Sequence, residues 1–231
     1  MQNPPLLPST PSSSPASGQT FNNAVISPTL PVQHRKDAPA FYKHATYAVR
    51  GQTTKQATTF GVDNPNGLVE LYANHKGFEI EENLRLYSGE DMTSEVLRIG
   101  ARNGRDASSI YDVTDATNEE KVGALRHKMG KSTARDEWEI LDARDRLMGT
   151  VVEESLTLAL VRGLVKFASP LLPRNYDVHV GGRDVGRYTR NQNSKLVRVA
   201  CDFALDQNGV LDRRLGLAAA ILMCAPQSKQ R

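Results

Sequence analysis

The chain has 231 residues, a net charge of +3, 24% charged and 6% aromatic residues, long enough for one large domain with a sizeable core or two small ones. No run of 18 apolar residues occurs, which speaks against a membrane-spanning helix, and the N-terminus has neither the basic nor the apolar region of a secretory signal. The two cysteines, Cys201 and Cys224, sit in apolar runs without metal or redox spacing, so reduced, buried thiols in a cytoplasmic protein are expected.

Residues 1–40 form a tail rich in Pro and Ser with few side chains to bury. Such a composition does not offset its own ordering entropy and is expected to be disordered. From Phe41 the texture changes to short apolar–polar alternations, which places one domain over 41–226 and a short tail over 227–231. Asp63-Asn64-Pro65-Asn66-Gly67 is a turn signal, because Asn-Gly supplies the positive φ angles of tight hairpins. Strand-like runs follow at Leu68–Ala73, Phe78–Glu81, Leu84–Tyr87, Val96–Ile99, Ile110–Val113, Val122–Leu125, Trp138–Leu141, Met148–Val152, Tyr176–Val180, Val185–Tyr188 and Leu196–Leu205. Short strands at nearly even spacing are the pattern of an all-β meander or barrel. In the last run Val197, Val199, Cys201, Phe203 and Leu205 share a dry face, with Arg198, Asp202 and Asp206 on the wet one.

Asn208-Gly209 then turns the chain into the apolar run Leu215–Ala225, which Pro226 closes. A helix apolar on every side has no face for water, and this one is too short to cross a bilayer. Its small residues, Gly216 and Ala218–Ala220, suit a helix threaded through the centre of a curled antiparallel sheet. Asp212 in its first turn complements the helix dipole. Leu156–Leu172 breaks the β texture and reads as a short helix or apolar loop, with Arg162 and Lys166 on its polar side. It suits either a membrane surface or packing over an open end of the barrel.

Several stretches together resemble the Tubby C-terminal-like superfamily, in particular its LURP-one-related and phospholipid scramblase-like branches. They are Tyr111–Asp115 through Lys121–Arg126, Asp136–Ile140, Met148–Glu154, and Asp202-Phe203 followed by Leu211–Leu215 and the apolar helix. The resemblance spans about residues 42–225. It implies a mainly β fold, a closed antiparallel barrel of about 12 strands around a buried C-terminal hydrophobic helix. It also implies binding of phosphoinositides by basic residues, scramblase-like lipid movement, or a barrel without settled activity. A small-molecule-binding barrel is a further alternative.

No catalytic constellation stands out. His34, His44, His75, His127 and His179 lack zinc spacing, and neither a nucleophile elbow nor a phosphate-cradling P-loop occurs. Gly181–Gly186 reads as a hairpin turn, Glu153 and Glu154 point to opposite faces of a strand, and Trp138 reads as core. A non-enzymatic protein without metal or cofactor is therefore expected. Its charge is polarised, since residues 41–120 carry −5 and residues 121–226 carry +5, which orients the domain toward an anionic partner. The candidate anion- or lipid-binding residues are Arg183, Arg187, Arg190, Lys195 and Arg198, with Arg174 nearby, and a second group of Arg126, Lys128 and Lys131. Arg183 and Arg187 share parity and are expected on one strand face. Outward arginines suit bidentate bonds to phosphate head groups of anionic membrane lipids. Nucleic acid is disfavoured because no stacking aromatics are interleaved with the basic residues.

Overall fold

The strand runs become strands because their apolar residues recur every second position, so each run has one dry face to bury. The computed structural model describes residues 39–76, 83–102, 110–128, 136–154, 173–191, 193 and 196–225. After a 3-10 turn at Ala40–Tyr42 come β1 (Thr46–Thr53), β2 (Ala57–Asp63), β3 (Val69–Lys76), β4 (Leu84–Tyr87), β5 (Glu95–Ala101) and β6 (Ile110–Asp115). The chain continues through β7 (Glu120–Lys128), β8 (Glu137–Asp142), β9 (Leu147–Glu153), β10 (Arg174–Val180), β11 (Arg183–Arg190) and β12 (Leu196–Asp202), and ends in helix α1 (Arg213–Cys224). The expected strand Phe78–Glu81 and the apolar segment Leu156–Leu172 lie outside the described residues.

Each strand pairs antiparallel with its sequence neighbours, and β1 also pairs with β12, which closes a twelve-stranded barrel. An antiparallel meander closes only with an even number of strands, because the first and last must run in opposite directions. Closure leaves no unpaired edge. At the β10–β11 hairpin, Gly181 and Gly182 take φ values of 58° and 75°, the left-handed pair that a two-residue turn requires.

α1 runs back through the lumen from the base of the barrel, where β12 ends, to the mouth, where β1 ends. Every residue from Leu215 to Ala225 is buried. Burying each of the larger ones, Leu215, Leu217, Ile221, Leu222 and Met223, contributes about 1.5–3 kcal/mol. Asp212 is the N-cap, its carboxylate accepting the Arg214 backbone N–H at 2.9 Å. Among the described residues no helix is long and apolar enough to cross a membrane.

The dry face of β12 is as its alternation predicts through Phe203, which is 1% exposed. Two assignments beyond it reverse: Leu205 is 67% exposed and Asp206 is buried. The strand stops at Asp202, and a turn closed by Asp206 N–H on Phe203 O replaces the two-residue period. The turned-in Asp206 carboxylate accepts from the backbone N–H groups of Val210 (2.7 Å) and Leu211 (3.2 Å) and from Arg213 Nη1 (2.7 Å).

Candidate anion-binding surface

The barrel alternation sorts the basic candidates into an outer row, which faces solvent, and an inner row, which reaches the lumen only at the two rims. On the outer wall β7 and β8 place Arg126 opposite Glu139 and Lys128 opposite Glu137. Arg126 meets Glu139 at 3.0 Å, while Lys128 meets Glu137 at 3.0 Å and Glu139 at 2.9 Å. The hydrogen bonds that Lys128 donates to Glu139 and Glu137 raise its pKa above the ordinary value. Arg126 and Lys128 are therefore part of a charge-matched ladder. Lys131 and Lys195 lie outside the described residues.

On β11 the expectation that Arg183 and Arg187 share a face is corrected by a β-bulge. The register slips between Val178 and His179, so Arg183 stands opposite Val180 of the inner row and Arg187 opposite Asp177 of the outer row. One extra residue in a strand flips the side-chain alternation beyond it. Arg187 bonds Asp177 through Nε at 3.1 Å and Nη2 at 3.0 Å, with Glu154 at 3.9 Å. Arg183 is exposed at the base and meets no carboxylate among the described residues. At about 3.3 Å per residue it sits roughly 23 Å along β11 from Arg190.

Arg190 has a structural partner that the sequence did not indicate. It belongs to the inner row at the mouth, where its Nε donates to Met223 O at 2.9 Å. A cation on the last carbonyls of a helix satisfies an orphan acceptor and complements the dipole. Directly opposite Arg190 on β10 stands Arg174, whose nearest carboxylate oxygen among the described residues is Glu153 Oε1 at 3.8 Å. On the outer row of the neighbouring strands, Arg198 of β12 stands opposite Arg50 of β1. Arg50 is paired with Asp63 at 2.7 Å, whereas the Arg198 guanidinium meets no carboxylate among the described residues. The Arg198 backbone is held by Asn191, whose side-chain oxygen accepts its N–H at 2.9 Å.

Like charges placed directly across a ladder destabilise it, and β10, β11, β12 and β1 carry two such pairs, Arg174/Arg190 and Arg50/Arg198. Arg50 was missed by the sequence reading. Only the pairing of the first strand with the last brings it beside Arg198, and no local pattern encodes that closure.

A second polar group lines the lumen near the mouth. His127 Nε2 lies 2.6 Å from Asp136 Oδ1, and the Tyr176 hydroxyl donates to Asp136 Oδ2 at 3.1 Å. The imidazole stacks on Trp138 at 4.2 Å. Burial works against the Asp136 carboxylate, but the His127 bond and charge outweigh it and hold the pKa below its usual value. An oriented imidazole is one part of acid–base chemistry, but Trp138 covers one face of this ring. No Ser, Thr or Cys among the described residues hydrogen-bonds to it. The trio ties β7, residue 136 and β10 together. Among the described residues no group of three His, Cys, Asp or Glu side chains is placed to hold a metal.

At the base, buried charges fasten the start of α1. Arg213 pairs with Asp206 and lies 4.6 Å from the centre of the Phe203 ring. Arg214 bridges Asp212 and Asp115 at 2.5 and 2.6 Å.

The molecule is thus a closed twelve-stranded antiparallel barrel plugged by its C-terminal helix, with Arg174 facing Arg190 at the mouth and Arg198 facing Arg50 on the outer wall. No protein-family model matches the sequence, and a comparison with curated proteins finds no match.

Proposed function

We propose that the protein is a non-enzymatic, Tubby-like barrel that binds the phosphate head groups of anionic phospholipids, of the phosphoinositide class, as a peripheral membrane module. The observation that carries this reading is the pair of arginine–arginine facings on four adjoining strands, Arg174/Arg190 and Arg50/Arg198. A phosphate between such groups relieves their repulsion and takes charge-assisted, bidentate bonds. The buried apolar side chains of α1 occupy the lumen, which leaves the outer wall and the mouth as the surfaces that meet a membrane. The barrel-and-helix architecture supports the Tubby-like resemblance. The reading moves the contact from Arg183 and Arg187 toward the mouth, because Arg187 is already matched by Asp177.

Vesicle flotation tests the reading. Phosphatidylcholine vesicles with a few per cent of a phosphoinositide should capture the protein, and capture should fall as salt rises. Arg174→Gln with Arg198→Gln should weaken it at least tenfold, while Arg183→Gln with Arg187→Gln should change it little. Equal capture by pure phosphatidylcholine, or an unaltered first double variant, would refute it.

A further inference from the structure

The base of the barrel carries a cleft of about 220 Å³ between β7, the β8–β9 turn and the start of α1. Its floor is apolar, made by Val122, Met148 and Leu215, and its rim holds Asp142, Arg144, Arg146 and Asp212. We propose that this cleft binds a small monocarboxylate with a short apolar body.

The charges on the rim decide the sign of the ligand. Asp142 is matched by Arg146 at 2.7 Å, and its carboxylate also accepts the backbone N–H groups of Arg144 and Arg146 at 2.9 Å each. Asp212 caps α1 and pairs with Arg214 at 2.5 Å. Arg144 remains, an exposed guanidinium that meets no carboxylate among the described residues. A cationic ligand would find both acidic groups occupied and Arg144 opposing it. A dianion would meet one free cation between two carboxylates. A monoanion fits the balance.

The turn that presents Arg144 is held before any ligand arrives. Asp145 adopts a φ of 61° and is pinned by Arg102 at 2.5 Å and Lys121 at 2.8 Å. Bonds from Arg102 and Lys121 hold its pKa down at about 2, so the clamp stays charged at neutral pH. A guanidinium on a rigid turn loses less freedom on binding. Its fork matches a carboxylate through two parallel bonds. The volume lies below the roughly 300–1,000 Å³ of sites for drug-sized ligands, which selects one short chain over a nucleotide. Met148 adapts its unbranched side chain to the chain it meets. This site sits at the end of the barrel opposite the arginine group, so the two readings stand or fall separately.

The test is an amide NMR titration of the full chain with hexanoate, acetate and hexylammonium. Hexanoate should give saturable shifts at Val122, Arg144, Met148 and Leu215, acetate should bind more weakly, and hexylammonium should leave these residues unmoved. Arg144→Gln keeps the backbone bond to Asp142 and should weaken hexanoate about tenfold, the equivalent of one lost charge-assisted contact. Met148→Gln should reduce the preference for hexanoate over acetate. Absence of saturable shifts, an equal response to hexylammonium, or unchanged affinity in Arg144→Gln would overturn the proposal.

Discussion

Replacing Gly216 by Ala should destabilise the protein, although the same change stabilises most helices. In a helix interior Ala is better than Gly by about 1 kcal/mol. Here the added Cβ would lie 2.9 Å from Phe203 Cζ, 3.2 Å from Cε1 and 3.3 Å from Leu211 Cδ2. Ordinary carbon contact begins near 3.5 Å, so the ring must withdraw by roughly 0.6 Å. The same ring edge also faces Gly186, where a Cβ would meet Phe203 Cδ1 at 2.9 Å, and Tyr47 packs edge-on at 6.2 Å. Arg213 lies over its face at 4.6 Å and Tyr188 packs edge-on at 5.8 Å. Overpacking a site of this kind costs about 1–3 kcal/mol. With Arg213, Tyr47 and Tyr188 packed around the ring the upper part of that range applies, and the net loss is about 1–2 kcal/mol after the propensity gain. Urea unfolding followed by far-UV circular dichroism measures the difference. In a Phe203→Leu background, where the ring is gone, Gly216→Ala should become neutral or stabilising. A more stable Gly216→Ala in the native background would refute the reasoning, because it would mean that α1 is not wedged against the wall.

Two tyrosines should respond in opposite directions to loss of the same hydroxyl. The buried Tyr42 hydroxyl meets no hydrogen-bond partner among the described residues, so Tyr42→Phe should leave stability unchanged or raise it by up to about 1 kcal/mol. The Tyr188 hydroxyl donates to Gly216 O at 2.9 Å, so Tyr188→Phe should cost about 1 kcal/mol; chemical denaturation of the two variants checks the contrast. Acid should act through Asp145, whose pKa is lowered to about 2 by bonds from Arg102 and Lys121. A group depressed on folding contributes stability above its unfolded value, about 3.9, and loses it as pH falls through the folded value. The urea midpoint should therefore drop between about pH 4 and about pH 2. Asp145→Asn should lower the midpoint at pH 7 and flatten that drop, and an identical acid profile would refute the assignment.

Local rules determined a good part of this protein. The two-residue alternation placed most strands, the glycine pair marked the β10–β11 turn, and the apolar run stopped by Pro226 defined α1 to within two residues at its start. These features depend on neighbours along the chain, so they can be read before any fold is known. The same local period misled where a strand ended, leaving Leu205 outside and Asp206 inside, and where a bulge separated Arg183 from Arg187. The partners of the candidate arginines were decided by tertiary structure. Arg187 found Asp177 across a hairpin, Arg190 found the last turn of α1, and Arg50 came beside Arg198 because the barrel closes. A cation's partners are set by which strands lie side by side, and that adjacency joins residues as far apart in sequence as the first strand and the last.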